Sequence, residues 1–179
     1  SWEIGGLYEQ QRESFSSLLL VLCGATLAVF GVLLFQLRSF GWSLAVLAPA
    51  PVALAAGSLS LFVTRTPLNV SSLMGGILLV GLVVKNGILL LEHALSSDKP
   101  LPEAVSAAAQ ARLRPILMTT LATVAALIPL VFGLGAGGEL HRPLAIAVVG
   151  GLFFSTAATL FLVPALALLG KTSALDKWR

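Results

Sequence analysis

Residues 70–95 read VSSLMGGILLVGLVVKNGILLLEHAL, and this stretch decides the fold. It is apolar apart from Lys85, Asn86, three residues near its start and end that carry hydroxyls or charge, and a histidine. Between Arg65 and Lys85 lie 19 uncharged positions, and six more separate Lys85 from Glu92. A helix crossing a bilayer needs about 20 mostly apolar residues. The stretch therefore predicts a membrane span with one cation inside it. The residues do not alternate between apolar and polar, which argues against a strand of a membrane β-barrel.

The same spacing repeats in both directions. Glu13 and Arg38 are separated by 24 uncharged positions, Arg38 and Arg65 by 26, Arg114 and Glu139 by 24, and Arg142 and Lys171 by 28. The expectation is an all-α, polytopic transmembrane bundle of five spans, near 15–36, 42–64, 70–95, 112–134 and 142–169. Residues 15–170 read as the bundle, preceded by the charged segment 1–14 and followed by the tail 171–179. Composition agrees: of 179 residues, 57% are hydrophobic and 11% charged, with a mean hydropathy of +0.97. A soluble domain averages about 25% charge, and a chain this short has too little interior to hide so much apolar surface. A soluble domain, a disordered chain and a nucleic-acid binder are excluded. The first 13 residues carry Glu3, Glu9, Arg12 and Glu13, unlike a secretory signal. With Ser1 in place of an initiator Met, the chain reads as a piece of a longer protein or a processed product.

Five spans place the termini on opposite sides. Arg38, Lys99, Arg112, Arg114, Lys171, Lys177 and Arg179 fall on one side, and Arg12, Arg65 and Arg142 on the other. The positive-inside rule assigns the first group to the cytoplasm, so the N-terminus is expected outside and the C-terminus inside. Residues 96–111 form the longest connection, opened by Pro100 and Pro102 and continuing as an Ala-rich helix into the fourth span. Thr66-Pro67 marks an outside turn, and the glycine-rich stretch 133–142 another.

Lys85 is the residue most indicative of function. It lies 15 residues after Val70, roughly 22 Å along the helix. An ammonium at such depth costs at least about 2.5 kcal/mol, and intramembrane ionisable groups mark transport or relay sites by default. The plainer alternative is snorkelling to the cytoplasmic interface, which the apolar residues after Lys85 argue against. Glu92 shares its face but stands about 10 Å further along, and no other acid occurs between Glu13 and Asp98. A buried counter-ion of Lys85 would lie on other residues of the protein. Asn86 reads equally as an inter-helix hydrogen bonder or as part of a transport site.

Arg112 and Thr119 are seven residues apart and share a face of the fourth span. Thr119 lies about as far from the cytoplasmic end of its span as Lys85 does from that of its own, so the two meet if their helices are neighbours. The alternatives are charge anchoring for the arginines and back-bonding within the helix for Thr119. Other signals carry less. GLGAGG at 133–138 matches a dinucleotide fingerprint but follows no strand. Asn69-Val70-Ser71 is a glycosylation sequon at a span's edge. His93 and His141 fall on opposite sides, Cys23 is the single cysteine, and there is no metal-ligand spacing or nucleophile elbow. Ala53-x-x-x-Gly57 and Gly150-Gly151 predict close helix packing.

Residues 81–95 (GLVVKNGILLLEHAL), 112–133 (RLRPILMTTLATVAALIPLVFG) and 137–166 (GGELHRPLAIAVVGGLFFSTAATLFLVPAL) together resemble the resistance–nodulation–division (RND) efflux transporters. The resemblance covers nearly the whole chain and corresponds to the last five of the family's twelve transmembrane helices, and it implies that residues 1–14 are the tail of a periplasmic domain and 171–179 a cytoplasmic tail. It implies a proton-driven antiporter in the bacterial inner membrane, with no enzyme activity and no cofactor other than the coupling proton. It implies that Lys85 is the counter-ion of two aspartates in the N-terminal half, and that Asn86, Arg112 and Thr119 belong to the same relay. The implied partners are membrane lipid, the N-terminal half of the transporter, two further copies in a homotrimer, a periplasmic adaptor and an outer-membrane channel. Lys85-Asn86 is similar to the drug and amphiphile exporters, while Glu139 to Gly151 is also similar to the heavy-metal exporters. The glutamate that metal pumps often carry in the matching third span is absent. Small organic or amphiphilic substrates are therefore expected. The alternatives are a heavy-metal exporter, a lipid or protein translocation member of the superfamily, and a structural membrane subunit.

Overall fold

In the computed structural model, the residues described are 5–97, 100–135 and 137–169, with side chains from residue 13 to 168. The first four residues and the 171–179 tail, expected outside and inside the membrane, lie beyond the described residues. Six helices follow one another: α1 (Gly5–Leu37), α2 (Phe40–Leu47), α3 (Pro49–Val63), α4 (Val70–Leu95), α5 (Leu101–Val131) and α6 (Gly138–Leu169). There is no strand among the described residues. Five helical stretches are long and apolar enough to cross a membrane, because α2 and α3 run on as one span from Phe40 to Val63. The chain is an all-α, multi-pass membrane bundle.

The α2–α3 junction has a covalent cause. Ala48 keeps right-handed helical angles and donates to the Leu44 carbonyl at 2.9 Å. Pro49 and Pro51 have no N–H to give the carbonyls of Ala45 and Leu47. The ladder is interrupted while the path continues. At the far end of α3, Arg65 takes φ +52, and its N–H and that of Thr66 close back on Phe62 and Leu61. This paired closure ends the helix sharply before Pro67. Asn69 then caps α4: its side chain accepts from the Ser72 N–H, and the Ser72 hydroxyl accepts from the Asn69 N–H. The amide that forms the sequon is thus also a helix cap.

Three elements extend beyond the expected spans: α1 begins at Gly5, so residues expected to precede the first span continue its helix, and the other two are α5 and α6. α5 begins at Leu101, so the Ala-rich stretch and the fourth span are one 31-residue helix with Pro115 and Pro129 inside it. α6 begins at Gly138, before Arg142, and carries Pro143 and Pro164. Gly133, at φ +70, closes the end of α5 in the manner of Arg65.

The helices are apolar around most of their circumference, so apolarity alone does not select which faces meet. Small residues do. A methyl carbon placed on Gly57 would lie 2.9 Å from the Ala147 carbonyl oxygen, and one on Gly151 would lie 2.9 Å from that of Ala53. The Ser60 hydroxyl sits between helices, 2.7 Å from the Gly57 carbonyl and 3.0 Å from that of Ile146. The Ala53/Gly57/Ser60 stripe of α3 therefore beds directly on Ala147, Gly150 and Gly151 of α6. On α4, Gly75 approaches the Leu144 carbonyl and Gly87 approaches Val46. α4 and α6 form the centre of the bundle. A larger apolar cluster around Leu33, Trp42, Val84, Leu91 and Val105 ties α1, α2 and α5 to α4.

Candidate functional site

α4 places Leu82, Lys85, Asn86 and Leu89 on one face, the repeat of three and four that a helix imposes. α5 does the same with Arg112, Pro115, Ile116, Thr119 and Thr123. The two faces confront each other beside Leu152 of α6 and enclose a cleft of about 120 Å3. Lys85, Asn86, Arg112 and Thr119 all line it. The structure thus brings the four candidate residues of the sequence around one cleft, and α4 and α5 are the neighbours that the meeting of Lys85 with Thr119 required.

Lys85 is exposed, Asn86 and Arg112 are half-buried and Thr119 is exposed. Among the described residues, the side chains of Lys85, Asn86 and Arg112 make no hydrogen bond or ion pair. Thr119 donates to the Ile116 carbonyl at 2.9 Å, and Thr123 donates to the Thr119 carbonyl at 2.8 Å. The hydroxyl of Thr119 is held by its own helix, while its oxygen lone pairs remain open to the cleft. Pro115 leaves the Ala111 carbonyl without its helical donor, adding an acceptor near Arg112. The cleft can thus present a cation, an amide and a guanidinium to a negatively charged group entering from outside these helices.

Glu92 is not the partner of Lys85. Its Oε1 accepts from Gln36 Nε2 of α1 at 2.7 Å. This bond closes one end of a second, more apolar cleft of about 520 Å3 between α1 and α4. Lys85 and Leu89 line both clefts, so the lysine stands on the ridge between them. The sequence reading placed Glu92 on the lysine's face but missed Gln36, whose position on α1 is set only by how α1 docks.

A third interaction was also out of reach of the sequence. Thr120 and Thr156 share a buried hydrogen bond of 3.0 Å between α5 and α6. Thr120 stands beside the candidate Thr119 in a Thr-Thr pair, and helical phase alone does not say which of the two faces α6. Among the described residues no group of three or more His, Cys, Asp or Glu is placed to hold a metal ion.

Comparison with known proteins places this geometry among relatives. The model of the AcrB/AcrD/AcrF family matches residues 1–170. A multidrug resistance protein, MdtC of Erwinia amylovora, is 36% identical over 97% of this chain, and the chain spans 17% of that relative's length. The X-ray structure of a heavy metal efflux pump, in two crystal forms, is 34% identical over 96% of this chain and 18% of the pump's chain. The TM-scores are 0.84 and 0.79.

Proposed function

The chain belongs to the AcrB/AcrD/AcrF family of RND efflux transporters, and we propose that it forms the part of the transmembrane domain that couples proton flow to export of small organic or amphiphilic compounds. The observation that carries this reading is the cleft between α4, α5 and α6, where Lys85, Asn86, Arg112 and Thr119 meet with the ammonium free of any acid among the described residues.

An ammonium within a membrane span requires a counter-charge. The remaining half of the transporter supplies it as an acidic pair on a facing helix. While the acids are ionised, Lys85 holds them, and Arg112 adds positive potential to the same cleft. Protonation removes the negative charge, releases the ammonium and lets the facing helices change their packing. Thr119 and Asn86 offer hydrogen bonds to whichever group is neutral. The driving force is the proton gradient, and no nucleotide takes part. The excess of basic residues at the Arg38, Arg112 and Arg114 ends supports a periplasmic N-terminus and a cytoplasmic C-terminus in the inner membrane. The working assembly in this reading is a homotrimer joined to a periplasmic adaptor and an outer-membrane channel.

The likeness to a heavy metal efflux pump favours a second reading, in which the same coupling bundle serves metal export. Both readings are tested in cells that produce the full-length transporter and lack their own exporters, by following dye efflux and metal tolerance. Export of the dye, lost in Lys85→Ala at unchanged protein level, is the expected result. Near-normal export by Lys85→Ala overturns the coupling role, and metal tolerance without dye export transfers the substrate to the second reading.

A further inference from the structure

On the face of α5 next to the one that lines the Lys85 cleft, a groove of about 510 Å3 runs between α5 and α6. Its lips are Gln110, Leu113, Leu117 and Leu121 on α5 and Phe153 and Phe161 on α6. These six side chains are all exposed. The floor includes Thr120 and Thr156, whose hydroxyls satisfy each other. Beyond Gln110 at one end, the groove therefore offers no free polar side chain along its length.

Its dimensions are those of one leaflet. Gln110 to Leu121 covers roughly 16 Å at 1.5 Å per residue, and half of a hydrocarbon core is about 15 Å. One end is basic. Arg114 is exposed and lies one helical turn beyond Gln110 and three residues before Leu117, on the groove's stripe. The two arginines of the Arg-Leu-Arg sequence are thus divided. Arg112 lines the Lys85 cleft, and Arg114 stands about 200° around the helix axis from it.

The lips also differ from the seams where this chain packs helix on helix. Those seams are built from Gly57, Gly75, Gly150 and Gly151, which permit backbone contact. Membrane helices meet through such small residues. The groove instead presents Leu and Phe side chains spaced around a furrow, a surface that a flexible chain fills better than a rigid helix.

We infer that the α5–α6 groove is a binding site for an anionic phospholipid of the leaflet on the Arg114 side, with one acyl chain along the furrow and the phosphate at Arg114 and Gln110. Thr120 lines both this groove and the Lys85 cleft. The lipid therefore packs against the wall of the candidate coupling site, which makes it a means of adjusting that site from the bilayer. The inference stands on the groove and holds whatever the transported substrate is.

The test uses the full-length transporter in phosphatidylcholine vesicles doped with phosphatidylglycerol that carries a photoreactive diazirine on its acyl chain. After illumination and digestion, adducts are mapped by mass spectrometry. Adducts concentrated around Leu117, Leu121 and Phe153 are expected. They should fall about fivefold in Arg114→Gln, the effect of losing one basic residue beside an anionic lipid, and return in Arg114→Lys. Adducts spread equally over other exposed apolar positions such as Phe35 and Phe62 overturn the site. Equal labelling by diazirine-phosphatidylcholine overturns the recognition of the anionic headgroup. A disulfide or crosslink from Leu117→Cys to another transmembrane helix overturns the lipid as occupant.

Discussion

Thr120 Oγ1 and Thr156 Oγ1 lie 3.0 Å apart in the buried contact of α5 with α6, and the polarity of their bond is determined. Thr156 Oγ1 is also 2.8 Å from the Leu152 carbonyl, to which it can only donate. Its single proton is thereby committed, so Thr120 is the donor and Thr156 the acceptor. The two valine substitutions are consequently unequal. Thr120→Val removes a donor and leaves Thr156 satisfied, costing about 0.6 kcal/mol, the average of inter-helix hydrogen bonds in membranes. Thr156→Val strands the Thr120 hydroxyl and costs about 1–3 kcal/mol. The double variant should fall close to the wild type. Unfolding of the full-length protein in mixed micelles measures all three, and equal costs for the single variants would remove the assigned direction.

Glycine substitutions should separate the α3–α6 seam from the open faces. Gly151→Ala places a carbon against the Leu79 side chain and 2.9 Å from the Ala53 carbonyl, whereas a methyl at Gly24 meets nothing within 4 Å. Overpacking at Gly151 should lower stability by about 1–3 kcal/mol. Gly24→Ala should be neutral or gain up to about 1 kcal/mol from helix propensity. Thermal unfolding in detergent gives both.

Arg112 and Arg114 should part company in transport. Arg112→Gln withdraws a positive charge from the Lys85 cleft and should abolish export at unchanged expression. Arg114→Gln, on the opposite side of the helix, should leave stability within the small change of an ordinary surface substitution, about 0.5 kcal/mol, and should retain export that Arg112→Gln loses, altered only as far as the lipid groove adjusts it. Efflux rates of matched expression cultures decide this, and equal losses from both would remove the distinction between the two sides.

The cap of α4 should matter where its backbone begins. Asn69→Ala removes the acceptor for the Ser72 N–H and should cost about 1 kcal/mol, while Asn69→Asp and Asn69→Ser retain it. Hydrogen exchange at the first turn of α4, faster in Asn69→Ala alone, is the expected readout.

Much of this architecture was legible because a bilayer imposes a simple rule. Apolar stretches bounded by charge had to be helices, and α4 runs from Val70 to Leu95 where the uncharged interval placed it. Lys85 and Thr119 were legible at one depth because helical periodicity and depth are both counted along one chain, while the neighbourhood of α4 and α5, and the grouping of Asn86 and Arg112 with them, came with the family resemblance. What escaped depends on rotation about helix axes. In a membrane, apolar character does not distinguish a face toward lipid from a face toward protein. Thr120 was therefore indistinguishable from Thr119, and Gln36 from any polar residue near a span's end. The break at Ala48 had its cause in view at Pro49 and Pro51, but two missing donors do not by themselves reveal that the path stays straight enough for one span. The early start of α6 at Gly138 escaped because glycine-rich sequence reads as turn.

The Ala53/Gly57/Ser60 stripe bedded on Ala147, Gly150 and Gly151 has a mechanical meaning. Backbones in contact through carbonyl oxygens leave no clearance for one helix to slide past the other, and the Ser60 hydroxyl pins the register as well. α3 and α6 therefore behave as a single beam. α5 leans on that beam through larger, looser side chains and carries Arg112 and Thr119 on its other side. In the coupling proposed for the Lys85 cleft, a change in the distance between these residues and Lys85 would fall to α5 tilting against a stiff support, with Pro115, which interrupts the ladder of α5, beside the charge.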